Sequence, residues 1–319
     1  VATTPHVLVA GSLAFDNIMD FPGEFKDHIL PEKLHVINIS FLIPELRRQR
    51  GGCAGNIAWT LGQLGIPATV LAAAGRDFPE YAGPLEALGV DLGPVAVHHD
   101  VASASCFITT DRTGSQITGF HVGAMSRARD LSLAAATNGS TVCAIVAPDD
   151  PEAMVRHCEE ARGQGVELWF DPSFQVTAMD GATLRRAAAG SHGLFVNDYE
   201  LAVFKEKTGL DNGSLFDLVD VVVVTLGKEG SLIRTRDGEE VAVPAAPIGT
   251  LVDPTGAGDA YRGGFLAGRM TGLDLATCAR MGSVAAAACI EGYGTQNHTF
   301  DRQSFARRYR RAYELELSW

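Results

Sequence analysis

Residues 253 to 259 read Asp-Pro-Thr-Gly-Ala-Gly-Asp and continue into Ala260-Tyr261-Arg262-Gly263-Gly264-Phe265, a glycine-rich turn beside carboxylates at an expected helix start. Gly256 and Gly258 let the backbone approach a ligand closely, and amides around Gly256, Ala257 and Gly258 at a helix N-terminus attract an anion. Asp259 is electrostatically costly in such a place unless it has a task. Accepting the proton of an attacking hydroxyl is one such task. The alternative is an ordinary loop in which Asp259 caps the helix.

Three further clusters carry chemistry. Asp16 lies shortly after the first apolar segment, and Gly51-Gly52-Cys53-Ala54-Gly55-Asn56 opens a helical pattern. A carboxylate and a carboxamide could grip a vicinal diol, with Gly52 admitting a sugar ring; the alternative is that Asp16 caps a turn and Asn56 a helix. Asn197-Asp198-Tyr199-Glu200 joins a strand to a helix. Oxygen ligands there suit Mg²⁺, which keeps most of its water, while the alternative is acidic residues complementing the helix dipole. Thr225-Leu226-Gly227 begins another glycine turn after a strand.

The elements that must position these residues follow an alternating rhythm. His6 to Ala14 predicts a strand and Gly55 to Gly65 a helix. Strands are then expected at Thr141 to Ala147, Val166 to Phe170, Gly193 to Val196 and Val221 to Thr225. Helices are expected at Pro151 to Arg162, Ala182 to Ala189 and Tyr199 to Thr208. This pattern predicts an α/β fold with a doubly wound, mainly parallel sheet, helices on both faces and ligands at the carboxyl ends of the strands. Ser231 to Ala245 predicts an edge hairpin, and Ala260 to Arg311 is mostly helical. Two stretches break the rhythm, about 15 to 43 and 103 to 120. The second holds Ser105 to Thr110 and Gln116 to Phe120 around an Asp111-Arg112-Thr113-Gly114-Ser115 turn. Both read as antiparallel strands of a small sheet that could act as a lid on a single domain spanning 1 to 319.

Composition bounds the answer. The chain has 319 residues, 46% hydrophobic and 20% charged, enough for a large core. A net charge of −12 argues against a nucleic-acid surface but not against a small anion held by local amides. No run is apolar enough to span a membrane and Val1 to His6 is unlike a secretory signal, so the cytoplasm is the default expectation. The six cysteines form no CxxC pair, and neither disulfides nor zinc are expected. A GxxxxGK[ST] loop, a GxGxxG after the first strand, HExxH and GxSxG are all missing from the sequence.

Taken together, these motifs resemble the ribokinase/PfkB family of sugar and nucleoside kinases over the whole chain, closest to the bacterial and archaeal nucleoside kinases that resemble adenosine kinase. Gly51-Gly52-x-x-x-Asn56 and Asp253 to Asp259 match the family's two glycine signatures. Asn197-x-x-Glu200 matches its magnesium-associated motif and Thr225-x-Gly227 its nucleotide turn. The resemblance implies an α/β sandwich with a β lid. It makes Asp259 the general base, with Gly256 to Gly258 as anion hole, ATP along Asn197, Thr225 and Gly227, and Mg²⁺ held largely through water by Asn197 and Glu200. It also implies ribose held by Asp16, Gly52 and Asn56, and a K⁺ site near Asp253 and the Glu291 to Gln296 loop. Phe15, Phe41, Phe107, Phe120 and Met125 could wall a purine and Gln116 could bond its edge, or they could form the lid's own core. Arg47, Arg48 and Arg50 are candidates for a sugar-phosphate site or a solvated helix face. The expected partners are a nucleoside and ATP, with lid strands able to pair in a homodimer. A ribokinase- or fructokinase-type sugar kinase is the nearest rival. A non-catalytic nucleoside or nucleotide sensor on the same fold is a second alternative, disfavoured by Asp259, Asn197 and Glu200 occurring together.

Overall fold

The computed structural model describes residues 5–28, 40–113 and 115–319. In chain order the strands are β1 His6–Ala10, β2 Ala14–Asp20, β3 Leu46–Gly51, β4 Ala68–Leu71, β5 Ala73–Gly75, β6 Ala96–His98, β7 Ala104–Thr110, β8 Gln116–His121, β9 Thr141–Val146, β10 Glu167–Phe170, β11 Ser191–Asn197, β12 Val219–Thr225, β13 Ser231–Thr235 and β14 Glu240–Val243. The helices are α1 Cys53–Gln63, α2 Pro79–Ala87, α3 Leu133–Ala136, α4 Pro151–Gln164, α5 Gly181–Ala188, α6 Asp198–Thr208, α7 Ala257–Met270, α8 Leu275–Ile290 and α9 Arg302–Tyr313. None of the described helices is long and apolar enough to cross a membrane.

The main sheet runs β14-β13-β12-β11-β10-β9-β1-β4, parallel from β4 to β12 and antiparallel at the β13–β14 hairpin, which closes one edge as the Ser231 to Ala245 pattern predicts. Because strand side chains alternate, consecutive residues feed two cores. Val7, Val9, Ile145, Trp169 and Phe195 pack with Ile57 and Leu61 of α1, Phe265 of α7, Val284 of α8 and Phe305 of α9. Leu8, Ala10, Val146, Phe170 and Leu194 pack on the opposite face with Met154 of α4, Leu184 of α5 and Phe204 of α6. The doubly wound expectation therefore holds.

The chain leaves this sheet sooner than the apolar run suggests. His6 to Ala14 is not one strand: β1 ends at Ala10, and by Ala14 the chain has joined a second sheet, β3-β2-β7-β8. Ala147 N–H donates to Ala10 and Ser12 N–H to Pro148, so the backbone turns away where the core ends. The second sheet is mixed rather than wholly antiparallel, since β2 and β7 run parallel, an arrangement that strands so distant in sequence can adopt through a long crossover. Part of the first insertion, 29–39, lies outside the described residues, as does Gly114 of the second. Arg47, Arg48 and Arg50 lie on β3 and not on a helix. Two of them meet acids: Arg47 pairs with Asp20, and Arg48 with Asp77 at 2.7 Å and Glu80 at 2.6 Å, its guanidinium 3.7 Å above the Phe15 ring.

Helix α7 is fixed by a seam of glycines. A Cβ at Gly264 would fall 2.7 Å from the Met281 carbonyl oxygen, 2.9 Å from the Ala285 Cβ and 2.9 Å from the Gly282 Cα. Alanine normally gains about 1 kcal/mol over glycine inside a helix, but here the extra methyl meets backbone that cannot rotate away. Overpacking of this kind costs about 1–3 kcal/mol. Gly264→Ala is therefore expected to lower the thermal unfolding midpoint, as calorimetry or circular dichroism would record; an unchanged or raised midpoint would contradict the seam.

Candidate active site

Gly52, with φ of 88°, stands immediately before α1, and a Cβ there would come within 2.6 Å of Ser12 O and Ala14 N. Its approach to the β1–β2 connection sets the lid sheet against the main sheet. Cys53 N–H donates to Ser12 Oγ at 3.2 Å and Ala54 N–H to Ser12 O at 3.1 Å. One turn into α1, Asn56 is buried and extends across the cleft to α7.

Asp259 receives that side chain. Asn56 Nδ2 donates to Asp259 Oδ2 at 2.8 Å, while Asn56 Oδ1 accepts from Gln296 Nε2 at 2.9 Å and lies 2.8 Å from the Thr295 hydroxyl. Gln296 also donates to the Tyr81 hydroxyl, which in turn donates to the Gly51 carbonyl at 2.6 Å. The network fixes the carboxamide's orientation, because its oxygen faces two donors and its nitrogen an acceptor. The Asn56 amide keeps one further N–H.

The electrostatics of Asp259 are a contest. Burial raises its carboxyl, and the Arg262 guanidinium, the Asn56 amide and the Cys53 thiol oppose that rise. Cys53 is itself pushed well up by burial and by Asp259, so it stays a thiol. Gly256, with φ of 79°, precedes α7, and a Cβ on it would meet Thr295 at 2.8 Å. The first-turn amides of α7, at Gly258 and Asp259, have no intrahelical acceptor and point outward from the helix start.

At the far wall, Asn197 and Glu200 form a reciprocal capping box at the start of α6. Glu200 N–H donates to Asn197 Oδ1 at 2.7 Å and Asn197 N–H to Glu200 Oε2 at 2.7 Å. Glu200 Oε1 accepts a longer bond from Ser173, at 3.4 Å. Thr225 ends β12, and Gly227, with φ of 58°, turns the chain after it. These groups and Asp259 line one cavity of about 500 Å³ with Cys53, Gly256, Gly258 and Arg262. Beyond Thr225 and Gly227 it adjoins a more apolar cavity of about 530 Å³, walled by Ala246, Ile248, Leu251, Tyr261, Ala287 and Ile290. A polar chamber with a base and donor amides, joined to an apolar slot, suits a polyphosphate with a flat aromatic end.

The lid residues divide. Asp16 sits on β2 in register with Cys106, which pairs with Phe120, so these three side chains share one face. Burial, then Asp259, then Asp253 raise the Asp16 carboxyl to about 6. Phe107 pairs with Asn17 and Gly119, one step along, and leaves from the other face. Both phenylalanines are 46% exposed. Gln116 shares the Asp16 face but lies at the far end of β8, donating to Thr110 Oγ1 at 3.1 Å. Phe41 packs with Phe21 and Phe25, Phe15 stands edge-on to Tyr81, and Met125 is buried with Ala14 and Ala104. These three belong to packing rather than to an open wall. Asp253 accepts from Thr255 N–H at 2.9 Å and Gly294 N–H at 3.1 Å; Glu291 is held by Arg308 at 2.7 Å. Tyr81 and Asp171 stand outside every motif read from the sequence; Cys53 and Arg262 lie inside quoted motifs without a role assigned to them, and Thr295 and Gln296, read only as part of a K⁺ loop, instead hold Asn56.

The sheet order, the mixed β lid and the cleft at the strands' carboxyl ends define a ribokinase-like kinase. Residues 26–301 match the pfkB family carbohydrate kinase, and the chain belongs to that family. Family membership makes it an ATP-dependent kinase working with a divalent metal. It is 34% identical over 306 residues, 95% of each chain, to a nucleoside kinase of Methanothermobacter thermautotrophicus. Among solved structures, the nucleoside kinase of Burkholderia thailandensis in complex with inosine matches with a TM-score of 0.87 and 39% identity, over 97% of this chain and 99% of that one. The nucleoside kinase of Methanocaldococcus jannaschii matches with a TM-score of 0.87 and 27% identity, over 97% of this chain and all of that one.

The raised Asp16 carboxyl has a consequence for stability. The folded chain binds this proton more tightly than the unfolded chain does, so the charge weakens the fold as pH rises from about 4 to 6 and by a constant amount above that. Asp16→Asn is expected to raise the unfolding midpoint at pH 8 and to lose that advantage at pH 4. A pH series of melting curves for the two proteins checks it, and an equal offset at both ends would refute it.

Proposed function

We propose that the protein transfers the γ-phosphate of Mg-ATP to the 5′ hydroxyl of a nucleoside, with a purine nucleoside such as adenosine, inosine or guanosine as acceptor. One observation carries this reading: Asp259, oriented by the buried Asn56, stands at the start of α7 beside donor amides, in a cavity that adjoins an apolar slot. Likeness to nucleoside kinases along nearly the full chain, one of them holding inosine, supports the choice of acceptor.

In this reading Asp259 accepts the proton of the 5′ hydroxyl as that oxygen attacks the γ-phosphorus and the electron pair of the breaking bond leaves with ADP. The transition state is loose, so catalysis is alignment and charge stabilisation. In the turn of Gly256, Ala257 and Gly258, the free amides of Gly258 and Asp259 receive the phosphoryl oxygens, while Ala257 N–H is engaged by Pro254; Thr225 and Gly227 border the nucleotide. Asn197 and Glu200 spend one oxygen each on the capping box, leaving Glu200 Oε1 only weakly engaged. That fits a metal held through its water shell, and Mg²⁺ bound there would neutralise charge on the β and γ phosphates. Asp16 is the acceptor for the ribose diol, and Asn56 offers its remaining N–H. Gly52 lets the sugar approach, and Phe120, on the Asp16 face, is the aromatic nearest in register for a base. Phe107 and Gln116 lie less suitably for that contact. For K⁺ near Asp253, the carboxylates at hand already have amide or guanidinium partners.

Asp259→Asn is expected to lose about 10²- to 10⁴-fold in kcat with ATP affinity retained, measured by steady-state kinetics and nucleotide binding. Full turnover in that variant would remove Asp259 as base. A panel of adenosine, inosine, guanosine, ribose, fructose and fructose 6-phosphate should show nucleoside turnover, and 2′-deoxyadenosine should be much poorer than adenosine because Asp16 loses a donor. Turnover of sugars alone would favour the ribokinase-type reading.

A further inference from the structure

Arg262 has no part in the chemistry above, yet it is 4% exposed, lies one helical turn after Asp259 and lines the same cavity. Its partner Asp171, directly after β10, is 0% exposed. Nη2 donates to Asp171 Oδ1 at 2.7 Å, and Nε faces Asp171 Oδ2. This ion pair, with its one hydrogen bond, leaves Nη1 without a hydrogen-bond partner among the described residues. Nη1 lies 2.8 Å from the place a Cβ on Gly258 would occupy, so the glycine opens the path by which the guanidinium reaches the phosphate turn.

A purely structural ion pair between α7 and β10 is the competing account. Such pairs are often no better than apolar residues of the same volume, because burying two charges is expensive. Nor does a structural pair need a free arm directed at the helix start. Asp171, Asp259 and Glu200 all favour the charged guanidinium, so the cation persists at any working pH.

We propose that Arg262 is a catalytic residue of phosphoryl transfer, its Nη1 donating to an oxygen of the phosphoryl group beside the Gly256 to Gly258 amides, with Asp171 as the residue that positions it. The inference rests on the kinase reading of the site. Arg262 neither gives nor takes a proton: the hydroxyl proton passes to Asp259, the new O–P bond forms, and the old one breaks with its electrons on ADP. Arginine suits this place because its planar fork can hold a carboxylate with one edge and present another N–H to phosphate.

Three variants test it: Arg262→Met, Asp171→Asn, and the two combined. Thermal unfolding, kcat and KM, and calorimetric binding of Mg-ADP with and without aluminium fluoride are measured on each. Arg262→Met is expected to lower kcat about 10²- to 10³-fold while Mg-ADP affinity changes little. The tightening that fluoride produces in the native protein should largely vanish. Asp171→Asn should lower kcat and weaken the fluoride effect with nucleoside KM nearly unchanged, which a merely structural role would not produce. The double variant removes the uncompensated charge, so it should regain thermal stability but not kcat. A double variant with native kcat, or an Arg262→Met protein with full fluoride tightening, overturns the proposal. The fluoride comparison needs no acceptor, so it still decides the role of Arg262 if the native protein phosphorylates no nucleoside.

Discussion

Like charge gathered in a small volume is the constraint on which this architecture turns. Asp16, Asp171, Glu200 and Asp259 come from a lid strand, the turn after β10 and two helices, and their charges act on one another. Left alone, such a set would take up protons or push the elements apart. What holds it together is rigid surrounding structure: the glycine seam between α7 and α8, the capping box at α6, and the ion pair between β10 and α7. Two of these act on α7 from opposite sides and the third fixes the start of α6. The repulsion is thereby kept available for a ligand with cations and donors of its own.

Much of this could be read from sequence, and for a physical reason. Glycine signatures are legible because the backbone demands them: Gly52 and Gly256 both have positive φ and both abut atoms that exclude a Cβ. The strands β9 to β12 were legible because a sheet covered on both faces needs continuous apolar runs. The assignment failed where geometry is set by distant partners. Asn56 with Thr295 and Gln296, and Arg262 with Asp171, are joined across 91 to 240 residues, and no local spacing marks them. The arginines before Gly51 read as a sugar-phosphate site or a solvated helix face, but pairing with β2 draws them into a strand.

The lid shows the same limit from another side. Its aromatic residues were read as one group, but the pleat separates them. A shift of a single residue sends Phe107 away from Asp16 while Phe120 stays beside it. Composition can say that a sheet is apolar; only register says which half of that apolar surface a ligand could meet.

Asp16 and Asn56 belong to different bodies, the first to the lid sheet and the second to the main domain, and both chain segments cross between the bodies at Ser12 and Gly52. A ligand that touches both residues is thus a tie across a joint rather than an occupant of a pocket. Its grip depends on the angle between two sheets as much as on either side chain. A change anywhere in the Ser12–Gly52 crossing can alter what this protein accepts without altering a single atom that the acceptor touches.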